Sequence, residues 1–173
     1  MAFLLIFIKK YDKINYKMKK KREEIQMRLW HQSLLPYLDR QRLLGQHREL
    51  CALRGKGWGK KHATVDYVFR HDPAYLVAYH YLIMDEMRRR GYNPSPEWMA
   101  PCWRGDTLEF DNTFVDADFV DDQYCYATHK GGVIYPEHDD AYLAECIALL
   151  KEKDAPIIWE SVGDNLGVRA WEL

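Results

Sequence analysis

The chain has 173 residues, 47% hydrophobic and 29% charged, with a net charge of -1. That balance suits one globular domain with a sizeable core and excludes collagen-like, low-complexity and wholly disordered classes. Cys51, Cys102, Cys125 and Cys146 form no C-x-x-C pair, which excludes a locally encoded zinc knuckle or disulfide framework and fits reduced thiols in a cytoplasmic protein.

Residues 1–26 are rich in Lys, Ile and Tyr and show no sustained helical period. Their apolar run, Ala2 to Ile8, is far shorter than the roughly 20 residues of a spanning helix and lacks the flanks of a secretory signal, so neither membrane insertion nor export is expected. The composition changes at Met27. If Arg22 uses an AGR codon, Arg22-Glu23-Glu24 is encoded by a purine run like a bacterial ribosome-binding site. Residues 1–26 are therefore expected to be a non-native or disordered extension, and 27–173 the single globular domain.

Pro36 suits the first turn of a helix running to about Leu53, with Leu43, Leu44, His47, Leu50 and Cys51 as its buried stripe. Glu49 lies off that stripe, near Gly45 and Ala52, and is sterically open. RGKGWGKKH, Arg54 to His62, holds three glycines and four basic residues and cannot be a regular helix. Its amides could cradle phosphate while Trp58 stacks on or wedges between bases; equally, it could be a solvated loop whose Trp58 packs on the core. It does not match the G-x-x-x-x-G-K-[ST] nucleotide loop.

Ala63 to Phe69 reads as a short helix with Val65, Val68 and Phe69 inward. The clearest helix follows, capped by Asp72, with Pro73 at its first position, Arg88 to Arg90 at its negative end and Gly91 as stop. Leu76, Tyr79, Ile83 and Met87 form its core face, and His80 is expected to be a satisfied core histidine. Beyond Pro94 the pattern weakens into loops anchored by Trp98 and Trp103. Short strands are predicted at Val133 to Tyr135 and Ile157 to Glu160, and a helix from Asp140 to Lys151 that buries Leu143, Cys146, Ile147 and Leu150. The expected fold is mainly α, with a less regular C-terminal part containing a few short strands.

Net charge is +5 over residues 1–26, +6 over 27–104 and -12 over 105–173. A basic half of this kind is the footprint of a polyanion partner, with the acidic part facing away; two simply solvated faces are the alternative.

The pattern M-R-L-W-H-x-x-L-x-P-Y-L-x-R-Q-x-L-L-G-Q-H-R-E-L from Met27, followed by R-G-K-G-W-G-K-K-H and R-R-G-Y-N-P, resembles the pyrimidine-dimer DNA glycosylase family, the phage-type endonuclease V relatives found in bacteria. The resemblance covers residues 27 to about 100, and its most specific element is Arg48-Glu49-Leu50 at its distance from Met27. It implies a compact, largely helical enzyme that cuts the glycosidic bond of the 5′ pyrimidine in an ultraviolet photodimer and nicks the abasic strand by β-elimination. The family's nucleophile is the α-amine of the mature N-terminus, which forms a Schiff base at C1′; the glutamate matching Glu49 supports the sugar cation and later proton transfers. Arginines matching Arg48 and Arg54 hold phosphates, and Arg28, Arg42, Lys56, Trp58, Lys60 and Lys61 complete the expected DNA-binding set. Arg42 stands where the family has a histidine. The family's residue after the initiator methionine is small, whereas Arg28 follows Met27, so the amine implied here is that of Met27 itself. With residues 1–26 present, that nitrogen is an amide and cannot form a Schiff base.

The chemistry is coherent on general grounds. An α-amine has a pKa of about 7.7 to 8.0 and a lysine amine about 10.4, so near pH 7.5 roughly a third of the former is neutral against about 0.1% of the latter. One carboxylate beside that amine suffices to stabilise an oxocarbenium-like state, and a damaged pair costs less to flip out than an intact one. The expected partner is double-stranded DNA containing pyrimidine dimers or abasic sites, bound by a monomer in the bacterial cytoplasm, with no metal or cofactor. Two other classes stay open: a non-catalytic nucleic-acid-binding protein derived from the family, and a metal-dependent enzyme using His138, Asp139 and Asp140 with His129.

Overall fold

The computed structural model describes residues 28–60 and 65–166. The chain enters through an extended segment and a 3-10 helix, Gln32–Tyr37, whose first turn is capped by the His31 ring accepting from the Ser33 amide. Pro36 sits inside this short element and not at the head of the long helix. Leu38 returns the backbone to extended geometry, and the Asp39 carboxylate then accepts from the Gln41 and Arg42 amides, so α1 begins at Arg40 and runs as Arg40–Arg54. The sequence therefore misplaces this start: a side-chain acceptor satisfies the orphan amides, which a proline four residues earlier cannot do.

Leu43 and Leu50 of α1 are buried as predicted, but Leu44, His47 and Cys51 are only half-buried. Their place inside is taken by Gln46, Leu53 and Arg54, so the inward face includes two polar side chains that hydrophobic periodicity does not register.

α2, Pro73–Arg89, carries the core. Asp72 caps it at the Ala74 amide, and Gly91, at φ +80, turns the chain out of it in a conformation that favours glycine. Leu76, Tyr79, Ile83 and Met87 are buried, as is His80. Before it, a 3-10 helix, Asp66–Arg70, turns Val65 and Val68 inward with Phe69 half-buried; residues 63 and 64 of the predicted short helix lie outside the described residues. α1 packs on one side of α2, and α3, Ala117–His129, on another. The predicted dipole role of the Arg88–Arg90 run is only part of its use. Arg90 donates to the carbonyls of Leu35, Pro36 and Leu38 and pairs with Glu86, tying the end of α2 to the entry segment.

The C-terminal part is more helical than the sequence predicts. α3, which carries Tyr124, Tyr126 and His129, is missed because Val120 is its one fully buried residue and its first turns are acidic. α4, Asp140–Glu152, buries Cys146, Ile147 and Leu150, with Leu143 half-buried. Neither predicted strand forms: residues 133–135 are irregular, and 157–160 lead into α5, Trp159–Leu166. Without a neighbouring strand to pair with, β-branched residues alone make no sheet; among the described residues the single β contact is the Trp103–Phe110 bridge. No described helix is long and apolar enough to cross a membrane.

Candidate active site

Glu49 lies on the solvent-facing side of α1, and the helical spacing places Gly45, Arg42 and Arg48 around it. These residues line a cavity of about 350 Å³ together with Arg28, Trp30, Gln41, Gln46 and Lys153. A Cβ built on Gly45 would meet nothing within 4 Å, so the glycine leaves this wall open.

The opposite wall is the entry segment, fixed by side chains from three helices. The Gln46 carboxamide is buried and makes three bonds: its Oε1 accepts from the Trp30 amide at 2.8 Å, and its Nε2 donates to the Arg28 carbonyl and to Glu49 Oε2, both at 2.9 Å. Tyr142 of α4 donates to the Leu29 carbonyl at 2.6 Å, and Tyr79 of α2 to the Trp30 carbonyl at 2.5 Å. The backbone directly after Met27 is thus held against the Glu49 carboxylate through one amide side chain.

Burial pushes the Glu49 carboxyl up to about 7, against the opposing pull of the Lys153 and Arg48 cations. Near neutral pH the group is divided between its acid and base forms. The Arg28 guanidinium is turned to the Glu145 carboxylate at 2.7 Å and lies over the Tyr142 ring. Burial opposes its charge and the Glu145 bond restores it, leaving its pKa above the usual value. Arg42 pairs with Asp39 at 2.5 Å, and Arg48 is exposed at the cavity rim. Of the expected site residues, Glu49, Arg28, Arg42 and Arg48 meet at this one cavity; Met27 and Lys61 lie outside the described residues.

Residues 27–100 match the family model for pyrimidine dimer DNA glycosylase. The match spans less than half of the chain. No curated protein and no solved structure matches the chain. The matched segment supplies every lining residue of the cavity except Lys153, which comes from the end of α4.

One expected DNA contact of the matched segment, Arg54, is corrected by its burial, and a second, Trp58, is half-buried against the core. Arg54 is 0% exposed; its guanidinium donates to the carbonyls of Trp98, Ala100, Pro101 and Trp103, so it ties down the loop after Pro94 and presents no charge to phosphate. Trp58 packs edge-on against Phe69 and Phe114 at ring-centroid distances of 5.2 and 5.5 Å, the packed alternative of the two that its sequence leaves open. Lys56 and Lys60 are exposed and line a neighbouring hollow with Arg104 and Thr107.

Asp139 and His138 of the metal-dependent alternative are engaged elsewhere, while Asp140 and His129 are exposed. Asp139 caps α4 at the Tyr142 amide. His138 accepts from the Gln32 amide at Nδ1, which leaves its Nε2–H for the Tyr67 hydroxyl at 3.0 Å; burial lowers its pKa to about 3. His129 is exposed on α3 against Thr128. One other group has ligand-like spacing among the described residues, His47, Cys51 and His80. Arg54 Nη1 donates to His80 Nδ1 at 3.1 Å, so neutral His80 carries its proton on Nε2 and donates it to His47 Nδ1 at 2.8 Å. Burial drives the Cys51 thiol up to about 12 and His80 well below its usual range. The lone pairs a cation needs are already in use, and a guanidinium stands behind them.

Gln46 and Lys153 are the site residues that sequence reasoning misses. Gln46 falls three residues before Glu49 on a helix, where a polar residue reads as solvated surface. Lys153 carries no sequence signal at all, since only the path of the C-terminal part brings it to α1.

Proposed function

We propose that the chain is a DNA glycosylase with abasic-site lyase activity on ultraviolet pyrimidine dimers, with Glu49 as the working carboxylate and the α-amine of Met27 as nucleophile in the form whose N-terminus is Met27. The observation that carries this reading is a carboxyl raised to about 7, bonded through Gln46 to the backbone that directly follows Met27. A carboxylate and a free amine together supply both halves of the chemistry.

The neutral amine adds to C1′ as the glycosidic bond breaks, ionised Glu49 offsets the positive charge that develops on the sugar, and the C1′–O4′ bond then opens, the amine proton passing to O4′, to give the protonated imine. Loss of the C2′ proton to Glu49 then drives elimination of the 3′ phosphate from the imine. A carboxyl near 7 accepts that proton and returns it without leaving the pH range of the cell. Arg48 at the rim and the Lys56–Lys60 loop supply phosphate contacts, and we place the protein as a monomer on DNA in the bacterial cytoplasm.

The test is nicking of dimer-containing duplex, with borohydride trapping, by protein whose N-terminus has been sequenced. Glu49→Gln is expected to lower nicking at least a hundredfold with DNA affinity within about twofold. Equal nicking by Glu49→Gln would remove Glu49 from the mechanism, and binding without any adduct would favour a non-catalytic nucleic-acid-binding protein derived from the family.

A further inference from the structure

The site holds a second amine. Lys153 is the one lysine among the residues lining the Glu49 cavity, and it comes from outside the family segment. Its backbone is pinned where α4 ends: the Lys153 amide donates to the Leu149 and Lys151 carbonyls, and Asp154, at φ +47, turns the chain away. Arg42 Nη2 reaches the Lys153 carbonyl at 3.4 Å, joining that helix end to α1 on the cavity side. The side chain is exposed, and no carboxylate holds its ammonium in an ion pair among the described residues. Lys153 also exerts the larger pull of the two cations on the Glu49 carboxyl, ahead of Arg48 of the same helix as Glu49.

We propose that Lys153 Nζ is the amine that attacks abasic DNA in any form of the chain whose Met27 nitrogen is acylated by residue 26. The proposal rests on the glycosylase-lyase reading of the Glu49 cavity. In that form the Met27 nitrogen is a peptide amide with its lone pair delocalised, and it cannot become an imine. The neutral Lys153 amine adds to the C1′ aldehyde of the ring-opened deoxyribose, and the carbinolamine loses water to give a protonated imine. Glu49 takes a C2′ proton; that electron pair becomes the C2′=C3′ double bond, and the C3′–O bond breaks to release the phosphate. Water then hydrolyses the imine and frees Nζ, so no oxidant or reductant enters the reaction.

A flexible four-carbon stem on a fixed backbone suits a preformed aldehyde better than the in-line displacement of a base. The second amine therefore serves strand cleavage at abasic sites and not base removal from dimers.

The test uses the 173-residue chain, its N-terminus at residue 1 verified by intact mass, on duplex carrying one abasic site. Borohydride is added, the adduct is digested, and mass spectrometry locates the sugar remnant. The expected position is Lys153 Nζ. Lys153→Arg, which keeps the charge but forms no stable imine, is expected to lose at least tenfold of the adduct with DNA affinity within about twofold. An adduct on another amine, or wild-type trapping by Lys153→Arg, overturns the assignment of Lys153 and leaves the reading of the site intact. No adduct with either this chain or one starting at Met27 overturns both.

Discussion

Glu49→Gln is expected to make the protein more stable while abolishing its chemistry, and only above a certain pH. The Glu49 carboxyl is raised from 4.5 to about 7 because folding half-buries it. A difference of that size is a penalty of about 3 kcal/mol on the ionised form, and residual solvent access with salt screening brings the working figure to about 2 kcal/mol. Between pH 4.5 and 7 the folded state holds more protons here than the unfolded state. This group's contribution to stability is therefore fully present below about 4.5 and is lost as the pH rises through about 7. Glutamine has the shape of the protonated acid and can still accept the Gln46 Nε2 bond, so the variant escapes the penalty. Urea unfolding at pH 8 should place Glu49→Gln about 2 kcal/mol above wild type, a midpoint shift of about 1 M, and the gap should close by pH 4.5. A variant no more stable than wild type at pH 8, or a gap that ignores pH, would refute the claim that Glu49 is held against its charge. The trade has a functional sense, since a destabilised carboxylate is the group a sugar cation would relieve.

Other residues give independent checks. Gln46→Ala removes three bonds of a buried carboxamide and should cost about 2 to 4 kcal/mol in chemical denaturation, with hydrogen exchange at the Trp30 amide rising sharply; unchanged exchange there would mean the entry segment is held by other contacts. Arg54→Met orphans a set of inward carbonyls and should lower stability by more than about 3 kcal/mol while leaving the salt dependence of DNA binding untouched. Lys56→Ala combined with Lys60→Ala should do the reverse, reducing the slope of log K against log salt by roughly 2 with thermal stability nearly unchanged; a constant slope would remove this loop from the DNA face.

The difference between Arg54 and Lys56 shows where charge counting stops being informative. The basic segment 27–104 carries a net +6, and that surplus reads correctly as a property of the segment. Arg54, Arg90 and Arg104, however, turn their guanidiniums to backbone carbonyls of neighbouring segments. An arginine's long stem and five donors serve buried carbonyls as well as phosphate, and spacing along the chain does not distinguish the two uses. α3 was illegible for a related reason, because it packs on α2 through Val120 and aromatic edges such as Tyr124 on Tyr81 and not through an apolar stripe.

What the sequence determined by itself is local: the cap and stop of α2, the helix that holds Arg48 and Glu49, the amphipathic face of α4, and the motif spacing that the family model matches over residues 27–100. Each depends on interactions within a few residues or on a periodicity along one element. Tertiary structure alone decided that Arg54 faces inward, that Trp58 is packed, that Gln46 couples the entry segment to Glu49, and that Lys153 joins α1 in lining the cavity. Those depend on pairs of residues as much as 111 apart, such as Arg42 and Lys153, whose meeting is fixed by how the helices pack.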